Sequence, residues 1–406
     1  MRINVINNII SVVINVLSPL IVLPLLTAQL GLDGYGEYVK TLAFMSMLII
    51  FFDLGFGMYI PKLISSSRSK NLASVFYSFF YIKLFTLPII IFISYIVYNS
   101  EIVIFLLVSL YLIFMNLNLT PIMSGLEKYK ELTILTLVCK VILVLLVIIT
   151  DFSYLGVEKA IAIQVVSQAL FFIFCLNSTK KIWLEFKSIS MTDLFELLKS
   201  SLGYYFSKLI VNLYQQSSAL FVSWFLNNQL VAIYSIAIQI YKIGQSIIGA
   251  VAKVLFTNLV KNHKYSNLKL ATEYSFFAYF LFSPIVFLMT DDIMKLFFEF
   301  DVKLLSEMLR YLYVSLAFVI VSSYYGYPAL APINKDKYAH YGVIISSIIY
   351  VIVFLMLIKF EYIYLVGFIS CIIFSDMIGM IVRLYYYNKF KHIIKENDKS
   401  IALNYK

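Results

Sequence analysis

Eight charged side chains lie inside long apolar runs, and these are the residues with chemistry to perform. The bases are Lys83, Lys140, Lys208, Lys242 and Arg383; the acids are Asp53, Glu273 and Asp376. A charge at bilayer depth is costly unless it faces a wet cavity or a partner. Five bases against three acids fit an anionic ligand, such as a diphosphate, better than an organic cation. Asp53 or Asp376 could carry a proton or pair with a lysine, which suits coupling to an ion gradient. A simpler role stands beside these for Glu273, Arg383 and Lys140, whose charged heads can snorkel to an interface. Tyr214, Gln215 and Gln239 supply rings and amides that would suit sugar hydroxyls, or equally hydrogen bonds between helices.

Long apolar helices must hold these groups in place. Of 406 residues, 62% are hydrophobic and only 13% charged, and the mean hydropathy is +0.90. That composition excludes a soluble domain. The expected fold is all-α and polytopic, with about twelve spans of roughly 20 residues each. The runs are 8–30, 38–60, 75–98, 102–124, 132–150, 155–177, 200–222, 230–255, 270–290, 308–330, 340–358 and 362–387. They divide into a first six-helix bundle over 1–180, a cytoplasmic amphipathic linker over 181–199, a second six-helix bundle over 200–390 and a cytoplasmic tail over 391–406. Trp183 would sit at headgroup depth in that linker. The first run reads as a retained span and not as a cleaved leader.

The formal net charge is +10. In an apolar chain such an excess reports topology and not nucleic-acid binding. With both termini in the cytoplasm, 21 basic residues fall on that side and six on the other, and the remaining five of the 32 are intramembrane. Cys139, Cys175 and Cys371 lie in apolar runs and read as small buried hydrophobes. No phosphate-binding glycine loop, histidine metal set or acidic catalytic motif is present, so neither an enzyme nor a cofactor is expected. Pro19, Pro24, Pro88 and Pro328 are the candidate hinges. Gly55 and Gly57 after Asp53 permit close packing. A weak repeat pairs Pro121, Gly125, Lys128 and Tyr129 with Pro328, Pro332, Lys335 and Tyr338. Such repeats often underlie alternating access.

The first two runs resemble the polysaccharide-exporter family, the O-antigen and repeat-unit flippases often called Wzx. The resemblance is carried by Pro19, Pro24, Leu30, Gly31, Gly34, Tyr35, Gly36 and Tyr38, then Asp53, Leu54, Gly55 and Gly57. The segment with Pro121, Gly125, Lys128 and Tyr129 is similar to that family's link after the fourth span. The resemblance implies the multidrug/oligosaccharidyl-lipid/polysaccharide exporter superfamily and two six-helix bundles around a central cavity. It implies an undecaprenyl-diphosphate-linked oligosaccharide repeat unit as substrate, flipped by ion-coupled alternating access in the bacterial inner membrane. Membrane lipid, a polymerase and a chain-length regulator are the implied partners, and the flippase itself is expected to act as a monomer. The alternatives are a lipid II flippase, a drug or cation antiporter of the same superfamily, and a non-transporting scaffold of a glycan assembly complex.

Overall fold

The computed structural model describes residues 2–65, 72–185, 189–216, 218–262 and 265–393; among these, the side chains at 2–13, 15–17, 206–208, 210–216, 257, 261 and 262 are outside the description. The described chain is helical throughout, as backbone surrounded by lipid requires. Packing divides it into two compact units, Met1–Ser223 and Trp224–Lys406.

Unit 1 comprises α1 (Arg2–Phe52), α2 (Phe56–Ser65), α3 (Leu72–Tyr98), α4 (Ile102–Asn116), α5 (Thr120–Gly125), α6 (Tyr129–Ile149), α7 (Gly156–Ser178), α8 (Lys180–Trp183), α9 (Met191–Gln216) and α10 (Ser218–Ser223). The seventh expected span, 200–222, therefore packs with the first unit. Unit 2 comprises α11 (Asn228–Asn262), α12 (Ser266–Phe297), α13 (Lys303–Tyr325), α14 (Tyr327–Leu330), a 3₁₀ turn at Ala331–Ile333, α15 (Asp336–Lys359) and α16 (Leu365–Lys389).

Ten helices among the described residues are long and apolar enough to cross a bilayer, against about twelve expected. One reason is α1, which holds the first two expected spans. Gly31, at φ +65°, is the non-helical point between them, and the helical segments on either side each reach the roughly 20 residues of one crossing. The junction between the runs 8–30 and 38–60 is thus a kink at the single residue Gly31, and the residues after it are helical. Helix α9 is not among the ten. It starts in the expected linker and runs on into the seventh run without a stop at residue 199, since no proline interrupts it.

The linker also differs from an amphipathic helix lying on lipid. Its described residues include most of α8 and the first turns of α9, and Ile182, Trp183, Leu194 and Leu198 pack on the core of unit 1 around Phe56, Phe79, Leu119 and Cys175. The Trp183 indole N–H donates to the Leu176 carbonyl at 3.0 Å. An apolar stripe on a surface helix fits protein as well as lipid, and periodicity alone does not distinguish them.

The proposed repeat has a matching backbone. After α5, Glu127 takes φ +57° and the Lys128 N–H donates to the Met123 carbonyl at 3.0 Å. After the 3₁₀ turn, Asn334 takes φ +58° and the Lys335 N–H donates to the Leu330 carbonyl, also at 3.0 Å. Both are left-handed closures of a short helix, with Lys128 and Lys335 standing before α6 and α15.

In unit 2, α13 packs on α11, α12 and α16, and α16 packs on α13 and α15. The α13–α15–α16 seam is built from small residues: Ser315, Ser322, Ser346, Ser347 and Ser375 are buried. Small side chains let helices approach where lipid provides no hydrophobic drive. On α12 the outer face carries Leu288 at 77% and Leu296 at 82% exposure, a surface suited to acyl chains.

Gly55 joins α2 to α9. It sits at φ +76°, and a Cβ there would lie 2.6 Å from the Tyr205 backbone nitrogen and against the Ser201 carbonyl. Gly55→Ala should therefore cost about 2–3 kcal/mol from left-handed strain and overpacking. Thermal denaturation in detergent measures this, and an unchanged midpoint would contradict the close approach.

Candidate functional site

The second expected span is broken at Asp53, Leu54 and Gly55, which separate α1 from α2; Leu54 and Gly55 have φ of 56° and 76°. The break leaves the last carbonyls of α1 without helical partners. Lys83, from the middle of α3, answers this. It is only 5% exposed, its ammonium donates to the Phe52 carbonyl at 2.6 Å and to Asn116 Oδ1 at 3.2 Å, and it stands 5.7 Å from the Phe56 ring centroid. The Asn116 amide in turn donates to the Lys83 carbonyl at 3.0 Å and to Thr86 Oγ1 at 2.9 Å. A cation at a helix C-terminus is also favoured by the helix dipole.

A cavity of about 510 Å³ opens inside unit 1. Pro61 of α2, the α4–α5 junction, α6 and α7 form its walls, and Lys140 is the charged residue in its lining. On α6, Tyr129, Thr136 and Lys140 fall at i, i+7 and i+11, one face of the helix.

Unit 2 carries a buried polar cluster. Asp376 Oδ2 on α16 accepts a hydrogen bond from the Tyr241 hydroxyl of α11 and one from Ser315 Oγ of α13 at 2.6 Å. Tyr241 and Ser315 are themselves 3.1 Å apart. Seven residues along α16, on the same face, Arg383 donates to Ser322 Oγ at 2.6 Å and to the Ser322 carbonyl at 3.0 Å. Gly326 and Gly342 make room for this arginine: a Cβ at either would lie within 2.8 Å of its side-chain carbons. The arrangement ties a carboxylate and a guanidinium to the hydroxyls of a neighbouring helix.

Residues 2–263 match the model of the family described as polysaccharide biosynthesis protein, which is more than half of the chain. The chain belongs to that family. Its polytopic helical fold is shared with solved lipid flippases and with multidrug exporters of the MATE type. A protein provisionally named as an O-antigen transporter of Shigella dysenteriae is 23% identical over 354 residues, which are 83% of this chain and 88% of that one. Among solved structures, the lipid II flippase MurJ in an inward closed conformation aligns with a TM-score of 0.72 at 15% identity, over 100% of this chain and 90% of that one. An inward-facing multidrug-resistance MATE transporter aligns with a TM-score of 0.66 at 17% identity, over 93% and 96%.

Within this polysaccharide biosynthesis protein the intramembrane charges separate into distinct places. Lys83 and Asp53 are at the α1–α2 break, Lys140 lines the cavity of unit 1, and Asp376 and Arg383 share the α16 seam. Gln239 donates to Ser235 Oγ at 3.2 Å, one turn back on α11, and Lys242 follows it on that helix. Lys208, Tyr214 and Gln215 are on α9, and their side chains lie outside the described residues. Glu273 pairs with Lys269 at 3.6 Å on the exposed side of α12. Pro19, Pro24 and Pro88 lie inside α1 and α3, whereas Pro328 opens α14 just after the chain leaves α13 at Gly326.

Sequence reading passed over Asn116, Ser315, Ser322 and Gln168. Each is a neutral polar residue in an apolar run, the commonest kind of interhelical contact. The spacing of Ser315 and Ser322, seven apart on one face of α13, was the only signal available.

Proposed function

We propose that this transporter flips a polyprenyl-diphosphate-linked saccharide from the cytoplasmic to the outer leaflet of the bacterial inner membrane, by ion-coupled alternating access. The observation that carries this reading is the family match over residues 2–263. A hydroxyl-rich, charged headgroup does not cross hydrocarbon unaided, because every desolvated polar group costs several kcal/mol. A protein that offers it buried cations and hydroxyls while the lipid tail stays in the bilayer removes that cost. Two cargoes share this chemistry. Lipid II is favoured by the likeness to MurJ, which extends over the whole chain. An O-antigen-type repeat unit is favoured by the Shigella relative.

Reconstitution in liposomes tests the reading. Lipid II, an undecaprenyl-diphosphate-linked repeat unit and a lipophilic cation are presented separately, with and without a proton or sodium gradient. Flipping of at least one lipid-linked sugar at about tenfold or more above protein-free vesicles is expected. Efflux of the cation with neither lipid moved would assign a multidrug antiporter instead. No movement of any cargo by folded protein would leave the scaffold role.

A further inference from the structure

The cavity in unit 1 holds more unspent hydrogen-bonding capacity than a packed helix bundle needs. Part of its polar lining is committed. Asn118 Oδ1 accepts from the Thr120 N–H at 2.8 Å and from Thr120 Oγ1 at 2.5 Å, and Thr136 Oγ1 donates to the Leu132 carbonyl at 2.8 Å. Ser167 Oγ donates to the Cys139 carbonyl at 3.4 Å. Among the described residues, no hydrogen bond or ion pair engages the Lys140 ammonium, the Tyr129 hydroxyl, the Ser124 hydroxyl or the Gln168 amide, and all four line the cavity. These four groups are partly exposed and converge on one concave space, so they are available to water or to a ligand. The volume, about 510 Å³, lies within the range of about 300–1,000 Å³ typical of small-molecule sites.

The chemistry of the lining narrows the ligand. The wall contains one cation and no carboxylate. One lysine balances one negative charge; a diphosphate carries two and would leave one uncompensated in a half-buried site. The uncharged donors, Tyr129, Ser124 and Gln168, suit hydroxyls. Phe171 offers an apolar wall for the face of a sugar ring. We propose that this pocket binds a singly anionic sugar, a pyranose bearing one carboxylate, with Lys140 holding the carboxylate and Gln168 and Tyr129 its hydroxyls. The site lies wholly within unit 1 and reads the glycan, not the diphosphate. This inference rests on the proposed saccharide cargo for its physiological meaning, but the binding itself does not.

Two measurements on the full-length protein separate the two claims. The first is saturation-transfer NMR in nanodiscs, with glucuronate, glucose and inorganic diphosphate as probes. Glucuronate should bind saturably, at least about tenfold tighter than glucose, since a charge-assisted hydrogen bond contributes about 1.5–3 kcal/mol. Lys140→Gln should abolish that ratio, and Lys140→Arg should keep most of it because the charge remains. The second is flipping of a lipid-linked oligosaccharide containing one uronic acid, against the same molecule with its carboxyl reduced to the alcohol. Wild type should prefer the acidic cargo, and Lys140→Gln should bring the ratio of the two rates to about one. Glucuronate binding with no flipping of either cargo would keep the pocket and remove the saccharide-flippase reading. Equal affinity for glucuronate and glucose would overturn the pocket assignment. So would binding of inorganic diphosphate in preference to glucuronate, or a glucuronate preference that survives in Lys140→Gln.

Discussion

Lys83→Met should destabilise the protein by about 3 kcal/mol. The substitution keeps the apolar stem but removes the ammonium that donates to the Phe52 carbonyl and to Asn116 Oδ1. Each acceptor left unsatisfied in a buried site costs about 1–3 kcal/mol. Asn116 still has Lys83 O and Thr86 Oγ1 as acceptors for its amide, so the loss centres on the end of α1. Lys83→Gln should recover little, because the shorter side chain does not span the distance from α3 to the α1–α2 break. Thermal denaturation monitored by size-exclusion chromatography measures the effect. A wild-type melting midpoint in Lys83→Met combined with lost flipping would move Lys83 from a structural to a substrate-binding role.

Asp376→Asn should lower flipping at least about tenfold while membrane abundance and melting midpoint stay near wild type. The amide oxygen can still accept from Tyr241 and Ser315, so the α11–α13–α16 contact survives. What disappears is the charge that a coupling ion or proton would exchange with, and each charge crossing the membrane potential is worth about 2.3 kcal/mol per 100 mV. The readout is the initial rate with and without an imposed pH or sodium gradient. Full flipping with unchanged gradient dependence would assign Asp376 to packing alone. Asp376→Leu is the structural control, since it breaks both hydrogen bonds and should cost stability where Asp376→Asn does not.

Much of the architecture was legible from runs of apolar residues alone. A stretch such as 132–150 has no stable state in lipid other than a helix, because its backbone must satisfy itself, and α6 covers all of it but the capping residue Thr150. The close packing of Gly55 was equally visible as a small residue at depth, and it sits against the α9 backbone. The pairing of Lys128 with Lys335 was visible as a repeat, and both follow a left-handed residue. The kink at Gly31 and the continuous α9 were not legible as such. Whether a short polar stretch turns or stays helical depends on what packs beside it, and a kink needs only one residue with φ above zero.

The sequence by itself determined that this is a membrane-embedded helical protein with a handful of intramembrane charges, because the cost of desolvation acts on each residue wherever its neighbours lie. Only the tertiary structure decided which groups stand around each described charge. Lys83 and Lys140 are both lysines in apolar runs, yet one is spent on the end of a broken helix and the other stands in an open cavity. Asp53 and Asp376 are equally isolated in sequence, yet one lies in that break and the other accepts hydroxyls from two helices. The difference is the identity of the groups within about 3 Å of each charge, and those groups come from residues 31 to 135 positions away in the chain. Hydropathy acts through a residue's own surface, whereas pairing and cavities exist only between elements that the fold has brought together.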